Sequence, residues 1–322
     1  MSDTLSAFFL CAGYGKRLRP LTDRVPKPAI PFQGRTALEI NFRLCRPLFP
    51  NRILCNTHHL YAEMEKPARR LGMSILYEPE ILGTGGCLHN ARHILETTDR
   101  FLVHNGDLIH TLDLKDLMAR HRASGNIGTL AGIFRPTHNT LSVDVKGRLL
   151  GVHGFEGFGG VPAPIAAAAG QGAPVPPEEA PLPAGGEMAR LTFAGIAIYE
   201  KAFLDFVKPG CEDIKPYWTA ALRAGHSIGV ANYSHDAAWF DFGTPQGLWE
   251  AARFYMELTR NYSYGYAPDL RESRPFVSNE ANVQGLPEAL RDVLIYEKSA
   301  TPISPHTMNR IIGSDFRWEI KS

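Results

Sequence analysis

In the first third of the chain, short apolar runs alternate with longer segments in which apolar residues recur every three or four positions. A short apolar run predicts a buried strand, whereas the three-and-four spacing predicts an amphipathic helix. On this basis, strands fall at residues 7–12, 52–56, 74–77 and 101–104, and helices at residues 36–49, 60–71 and 86–95. Strands that alternate with helices of this length indicate right-handed βαβ units and a mostly parallel, Rossmann-like sheet of the α/β class.

After residue 126 the pattern changes to a β-rich half, which is followed by a different tail. The predicted strands are residues 127–134, 141–145, 148–153, 191–199 and 226–232, and the predicted helices are residues 212–224 and 245–258. Residues 154–186 are crowded with Gly, Pro and Ala, and such a composition predicts a surface insertion. The tail carries only short apolar runs, which predict short strands at residues 290–296, 310–313 and 316–320. We therefore divide the chain into a domain at residues 1–262 and a C-terminal extension at residues 263–322.

Charge and composition exclude some classes of function. The chain has 322 residues, with 34 Lys and Arg against 33 Asp and Glu. This balance argues against general nucleic-acid binding, which needs a concentrated basic face. No apolar run approaches the roughly 20 residues that span a bilayer, so we expect no membrane segment. The five cysteines have no spacing typical of a metal site or a disulfide framework, and we expect a reduced, cytoplasmic protein.

The first predicted strand leads into a glycine-rich, basic loop. Gly13 and Gly15 free the backbone, so that amide groups can form a nest for an anion. Five cations surround this nest: Lys16, Arg17, Arg19, Arg24 and Lys27. A dinucleotide fingerprint would need glycine at Leu18, and a Walker loop would need Ser or Thr at Arg17. A solvated basic turn remains the plain alternative, but the combination favours phosphate binding.

The loop resembles the signature of the sugar-1-phosphate nucleotidyltransferases, the NDP-sugar pyrophosphorylases. The matching residues are Gly13, Gly15, Arg17, Leu18, Pro20, Leu21, Thr22, Pro26, Lys27 and Pro28. The resemblance implies a GT-A-like nucleotidyltransferase fold in which Ala12, Gly13 and Gly15 surround a nucleoside triphosphate. It also implies that Arg17 binds the β and γ phosphates and that Lys27 lies near the reacting phosphates.

A second stretch that resembles this family follows the third predicted strand. Small residues there would let a flat base lie against bare backbone, and the family's base-recognition loop is matched at Glu78, Gly83, Thr84, Gly85 and Gly86. An ordinary turn that caps the next helix is the alternative. The Leu-Gly-Thr-Gly-Gly form resembles guanylyltransferases and muramate uridylyltransferases more than thymidylyltransferases, so the implied base is guanine or uracil. Asn105, at the end of the fourth strand, is implied as a further nucleotide-binding residue.

Two aspartates and a β segment complete the expected site. Asp107 follows the strand at residues 101–104, and Asp241 follows an apolar strand at residues 237–240. Asp241 begins an Asp-x-Gly-Thr-Pro sequence that resembles the family's second metal site. Because strand ends of one sheet meet at its ligand edge, we expect both carboxylates to reach one Mg²⁺. The resemblance implies sugar contacts from Glu187 and Gly195. Met188 stands where many members carry a lysine, so the sugar stays unassigned.

The expected reaction joins a sugar 1-phosphate to a nucleoside triphosphate, with release of pyrophosphate. Two alternatives stay open: a nucleotide-sensing regulatory paralogue without turnover, and a phosphocholine-type cytidylyltransferase. In the tail, residues 290–295 and 310–313 resemble single coils of a left-handed β-helix. We interpret them as a vestigial coil or as a contact for homo-oligomer formation.

Overall fold

The computed structural model describes residues 3–32, 35–49, 52–135, 139–155 and 189–261, together with four short strands of the tail. The strands are β1 Leu5–Leu10, β2 Pro31–Phe32, β3 Arg35–Thr36, β4 Ile53–Thr57, β5 Ser74–Tyr77, β6 Arg100–Asn105, β7 Leu108–His110, β8 Gly128–Ile133, β9 Leu141–Val143, β10 Leu149–Val152, β11 Ala189–Glu200, β12 Ile228–Asn232, β13 Trp239–Asp241, β14 Phe276–Val277, β15 Val293–Ile295, β16 Arg310–Ile312 and β17 Arg317–Glu319. The helices are α1 Ala37–Cys45, α2 Tyr61–Arg70, α3 Gly83–Leu95, α4 Leu114–Ser124, α5 Lys215–Arg223 and α6 Pro245–Asn261.

Among the described residues, nine strands form one central sheet. β5, β4, β1 and β6 lie side by side in parallel, which confirms the predicted Rossmann-like half. β11 then pairs antiparallel with β6 and β8, and β12 pairs parallel with β8. The carboxyl ends of β1, β4, β5, β6 and β8 therefore meet at one edge, where such sheets bind their ligands.

The alternation of side chains along β1 shows why this sheet is covered on both faces. Phe8 packs in a cluster with Leu88 and Ala91 of α3. Its neighbour Phe9 points the other way, into a cluster with Phe42 of α1 and Met64 of α2. Strands of a parallel sheet are buried on both faces, which explains why β1 is uninterruptedly apolar from Ala7 to Leu10.

Outside the central sheet, β7 and β13 form a two-stranded antiparallel ribbon, in which Asp241 lies opposite Leu108. In the tail, β14, β15 and β16 pair in parallel, and β17 pairs antiparallel with β16. The partly buried Trp318 of β17 packs against a cluster that includes Leu18 and Phe242. The tail therefore contacts the domain that carries the glycine-rich loop.

Four of the predicted features need comment. α3 begins at Gly83, three residues before the predicted start. All but two residues of the predicted insertion, and Glu187 with it, lie outside the described residues. Within the described part of the chain, no helix is both long and apolar enough to cross a membrane. All five cysteines are free thiols, as predicted.

Candidate active site at the sheet edge

The glycine-rich loop folds back on itself directly after β1. Gly15 has a φ of 63°, in the left-handed region that favours glycine. Its carbonyl accepts hydrogen bonds from Leu18 N at 2.8 Å and from Thr22 Oγ1 at 2.9 Å. The loop borders a cleft of about 240 Å³, which is lined by Leu10, Cys11, Gly13, Gly15, Lys16, Arg17, Lys27, Pro28, Asp107 and Gly243. Four of the predicted phosphate-binding residues thus share one cleft with Asp107.

Lys27 joins the two predicted metal ligands. Its Nζ donates to Asp107 Oδ2 at 2.6 Å and to Asp241 Oδ1 at 3.0 Å. The Lys27 side chain is only 9% exposed, and its ammonium lies 5.3 Å from the centre of the Phe242 ring. A buried ammonium needs compensating charge, and the two carboxylates supply it. The two carboxylate oxygens are therefore separated by no more than the sum of those two distances.

The route by which Asp241 reaches the site differs from the prediction. We expected both aspartates to follow strands of the same sheet, but Asp241 ends β13, which pairs only with β7 among the described strands. Asp107 lies in the turn between β6 and β7. Because β7 follows this turn directly, the ribbon brings β13, and Asp241 with it, back to the ligand edge. The convergence of the two residues is as expected, but the shared-sheet explanation is wrong.

Gly243 and Gly106 stand where a Cβ would lie very close to neighbouring site residues, and sequence reasoning did not single them out. A Cβ on Gly243 would lie 2.4 Å from Arg17 Nη2 and 3.1 Å from Asp241 Oδ1. A Cβ on Gly106 would lie 2.5 Å from Cys11 Sγ. Both glycines thus permit close approach between elements that carry site residues. Gly243 belongs to the Asp-x-Gly-Thr-Pro sequence, so the signal for its importance was present.

The donor set at Asp107 and Asp241 fits a hard divalent cation. Mg²⁺ is commonly held by one or two carboxylates, with water and substrate phosphates completing its shell. Within the described residues, no group of three or more His, Cys, Asp and Glu side chains stands together as a closed metal site. Two convergent carboxylates, of which Asp107 lines the cleft, match the first pattern, and a bound cation would have to displace Lys27 Nζ from between them.

Glu78 occupies a buried position under the predicted base-recognition loop. Its Oε1 accepts from Asn56 Nδ2 at 2.8 Å, and its Oε2 accepts from Leu82 N at 3.2 Å. Burial raises the pKa of the Glu78 carboxyl, although these hydrogen bonds and the nearby His58 partly oppose the shift. Asn56 Oδ1 in turn accepts from Cys11 N at 2.6 Å. Glu78 therefore ties the end of β1 to the loop after β5.

His58 and Tyr14 add a second link between the same loops. His58 Nδ1 lies 2.8 Å from Glu78 O, and its Nε2 lies 3.3 Å from the Tyr14 hydroxyl. His59 Nε2 lies 2.8 Å from Thr22 O. With those of Asn56, these contacts show that residues 56, 58 and 59 make hydrogen bonds at the end of β4.

The first turn of α3 packs tightly against the segment at residues 211–214. A Cβ on Gly83, whose φ is 70°, would lie 2.2 Å from Glu212 O, and a Cβ on Gly85 would lie 2.5 Å from Asp213 O. Gly85 N donates to Glu212 O at 2.9 Å, and Thr84 Oγ1 accepts from Ile214 N at 3.3 Å. Close packing within the protein thus accounts for glycine at positions 83 and 85 without any contact to a nucleotide base. Gly86 has looser surroundings, since the nearest atom to a Cβ there would be a side-chain carbon at 3.0 Å.

The predicted nucleotide-binding Asn105 and the predicted sugar-binding Gly195 are brought together. Gly195 has a φ of 73° and lies where the pairing register of β11 with β8 shifts. A Cβ at this position would be 2.6 Å from Asn105 Nδ2. This bulge lets the Asn105 side chain lie against the backbone of β11.

Residues 6–142 match the sequence model of the family described as Nucleotidyl transferase. The catalytic subunit beta of mannose-1-phosphate guanylyltransferase from Xenopus tropicalis is 35% identical over 133 residues, which are 39% of this chain and 37% of that protein. The UTP–glucose-1-phosphate uridylyltransferase of a Synechocystis strain is 26% identical over 304 residues, which are 87% of this chain and 70% of that protein. The chain thus spans little more than a third of the first relative.

Two solved structures share the fold. One, from Bacillus anthracis, is described as a glucose-1-phosphate thymidylyltransferase in complex with sucrose; it has a TM-score of 0.59 at 15% identity and covers 81% of this chain and 98% of its own. The other is HddC from Yersinia pseudotuberculosis, with a TM-score of 0.54 at 17% identity, covering 78% of this chain and 99% of its own. At these identities the likeness establishes the architecture alone.

Proposed function

We propose that this chain, which carries a nucleotidyl transferase domain in residues 6–142, transfers a nucleotidyl group from a nucleoside triphosphate to a sugar 1-phosphate. A phosphate oxygen of the sugar 1-phosphate attacks the α-phosphorus in line, and pyrophosphate leaves from the opposite side. The bond from the α-phosphorus to the bridging oxygen breaks as the new oxygen–phosphorus bond forms. The products are a nucleotide sugar and pyrophosphate.

The arrangement of Lys27 between Asp107 and Asp241, beside a cleft lined by glycine backbone and Arg17, carries this proposal. The attacking phosphate oxygen is already an anion, so the reaction needs no general base. Catalysis then depends on holding two anionic substrates in line and neutralising the charge that develops between them. We assign the binding and orientation of the phosphates to Arg17 and Lys27, which both line the cleft.

Asp107 and Asp241 are the residues that would hold Mg²⁺. When bound, this ion supplies charge neutralisation at the phosphate oxygens and fixes their orientation. Lys27 Nζ donates hydrogen bonds to both carboxylates. The same two contacts hold the ammonium beside the cleft in which the phosphates would bind.

For the base we propose guanine or uracil, with a slight preference for guanine. The support is the Leu-Gly-Thr-Gly-Gly form at residues 82–86, together with the guanylyl and uridylyl relatives. The contacts of Gly83 and Gly85 with residues 211–213 weaken this support, because they explain two of the glycines by packing. The sugar 1-phosphate is proposed only as a class.

Pyrophosphate release from each of four nucleoside triphosphates, measured against a panel of sugar 1-phosphates with Mg²⁺, tests the proposal. We expect turnover with GTP or UTP and at least one sugar 1-phosphate. Thermal stabilisation by a triphosphate without turnover would identify a nucleotide-sensing regulator instead, because a ligand that binds the native state raises its melting temperature. Turnover of CTP with phosphocholine would identify a cytidylyltransferase. Preference for dTTP over both GTP and UTP would refute the base assignment.

A further inference from the structure

Two buried histidines lie beside the turn that carries Asp107. His104, on β6, is 0% exposed, and His110, the last residue of β7, is 4% exposed. Their Nε2 atoms are 3.0 Å apart. His104 Nδ1 lies 2.6 Å from Asn105 O, and Leu112 N lies 3.1 Å from His110 Nδ1. Each ring thus has both nitrogens within hydrogen-bond distance of a partner.

The partners at the two ends fix the direction of every hydrogen bond. Asn105 O can only accept, so the proton on neutral His104 lies on Nδ1 and its Nε2 is bare. Leu112 N–H can only donate, so His110 Nδ1 is bare and its proton lies on Nε2. His110 therefore donates to His104. Burial lowers the pKa of both imidazoles, that of His104 to about 4, which keeps both rings neutral near pH 7.

This hydrogen bond joins the two parts of the fold that carry the aspartates. His104 pairs with Phe9 and Ile196 in the central sheet. His110 pairs with Trp239 in the ribbon, two residues before Asp241. Asp107 lies in the short turn between the two histidines. Two further hydrogen bonds hold the ribbon: Asn41 Nδ2 donates to Leu108 O at 2.9 Å, and Trp239 Nε1 donates to Ala194 O at 2.8 Å. The bond between the histidines differs from these, because both of its residues belong to the chain segment that contains Asp107.

We propose that His104 and His110 are positioning residues that set Asp107 and Asp241 at the separation required by a divalent cation and the reacting phosphates. The inference rests on the proposed function and deepens it. Apolar side chains would fill this part of the core without the loss of hydration that buried imidazoles suffer. A directional bond between sheet and ribbon is what the histidines add, since apolar packing fixes no single orientation as a hydrogen bond does.

The test compares two variants with a matched control. His104→Leu/His110→Leu removes both imidazoles together, so that neither ring is left unpaired, while Asn105 O and Leu112 N each lose the contact to a ring nitrogen. His110→Gln keeps an acceptor and a donor and serves as the rescue variant. His121→Leu is the control, because His121 is also buried, at 1% exposure, but bonds to Thr129 Oγ1 at 2.9 Å, away from the ribbon.

Binding of Mn²⁺ in the presence of a nucleoside triphosphate, followed by its electron paramagnetic resonance signal, is the first readout. We expect the double Leu variant to bind Mn²⁺ about tenfold or more weakly, the scale seen when residues that orient metal ligands are removed. His110→Gln should recover most of the affinity, and His121→Leu should bind like the unaltered protein. In steady-state kinetics the double variant should lose kcat by a similar factor, while KM for the triphosphate, set by the glycine-rich loop, changes less than about threefold.

Nitrogen-15 NMR of the unaltered protein provides a readout that needs neither turnover nor a folded variant. It should show neutral His104 protonated at Nδ1 and neutral His110 protonated at Nε2. Other tautomers of either histidine would overturn the proposal. So would a double Leu variant whose Mn²⁺ affinity and kcat equal those of the His121→Leu control. A failure of the unaltered protein to bind Mn²⁺ would also overturn it. Mn²⁺ binding and the expected tautomers without turnover would count against the proposed function alone.

Discussion

At the scale of single residues, two aspartates share one lysine, and they should act as one unit. Asp107→Asn and Asp241→Asn each keep the shape of the side chain but remove its charge. We expect either change to lower kcat by about 10²-fold or more, the scale of losing charge stabilisation at the reacting phosphates. The double variant should be little worse than the worse single variant, because residues that serve one ion are not additive. The measurement is pyrophosphate release across a Mg²⁺ titration.

Asp236→Asn is the matched control for these aspartates, because Asp236 is an exposed residue of the turn before β13. It should leave kcat within about twofold, as expected for a surface change away from the site. Near-normal turnover of Asp241→Asn, or losses that simply multiply in the double variant, would contradict a shared cation.

A second prediction for a single residue concerns Lys27, because its ammonium occupies the space between the carboxylates that a divalent cation would use. Lys27→Met should tighten Mn²⁺ binding to the nucleotide-free protein while it reduces turnover. The Asp107 and Asp241 side chains are 30% and 44% exposed, so solvent screening limits the gain to severalfold. Lys16→Met is the control, since Lys16 lines the same cleft and the structure shows it over the Tyr14 ring rather than at the carboxylates. Unchanged or weaker Mn²⁺ binding in Lys27→Met would refute this account.

How far the sequence predicts the site depends on how local each residue's role is. Arg17, Lys27 and Gly15 belong to one short motif, so their common location follows from the sequence. The role of the histidine pair depends on how the ribbon meets the sheet, which involves residues far apart along the chain that no local pattern connects. Glu78 shows the same limit. Its place in the base-recognition loop was predicted from the sequence, but its burial and its hydrogen bonds to Asn56 and Leu82 become visible only in the fold.

At the scale of elements, the start of α3 shows packing overriding local preference. The sequence predicts that this helix starts at residue 86, because three glycines among residues 83–86 disfavour a helix. The structure begins α3 at Gly83, where contacts with residues 211–214 hold the first turn. A strand was predicted at residues 237–240, which overlaps β13, but β7 and its pairing with β13 were not predicted. β7 and β13 are three residues long, too short to show a period.

Gly83 and Gly13 should respond to alanine in opposite ways. Gly83→Ala forces a side chain into a left-handed conformation and against Glu212 O, and we expect a loss of about 1–3 kcal/mol in the free energy of unfolding. Gly13→Ala meets nothing within 4 Å, so stability should change by less than about 0.5 kcal/mol. Its methyl group would instead stand in the cleft and raise KM for the triphosphate. Denaturant titration and steady-state kinetics on both variants separate the two effects, and the reverse assignment would show that Gly13 is structural.

At the scale of the whole molecule, the tail is attached to the domain that holds the site. Trp318 packs against a cluster that includes Leu18 and Leu21 of the glycine-rich loop segment and Leu248 of α6. The short strands predicted at residues 290–296, 310–313 and 316–320 are present, and β14 was not predicted. The parallel pairing of β14, β15 and β16 depends on strand contacts that a tail without a full repeat does not reveal.

Trp318→Ala should therefore destabilise the domain and not only the tail. Removing a partly buried indole is expected to lower the free energy of unfolding by about 2 kcal/mol, less than for a fully buried Trp. Differential scanning calorimetry should show a lower melting temperature, and KM for the triphosphate should rise because Leu18 follows Arg17 directly. Val145→Ala, at a residue that is 60% exposed, is the control. An unchanged melting temperature in Trp318→Ala would show that the tail adds nothing to the domain.

The place of β11 in the sheet bears on the synthesis of this protein. β11 lies between β6 and β8, although it follows both along the chain. On the ribosome β1, β4, β5 and β6 can pair early, but β8, whose six residues are all buried in the native fold, has no neighbour until residue 200 has emerged. At ordinary rates of translation that interval lasts several seconds, during which an apolar strand is exposed to aggregation or to chaperones. The Gly/Pro/Ala-rich stretch between β10 and β11 accounts for about half of that wait, so shortening it should favour soluble expression.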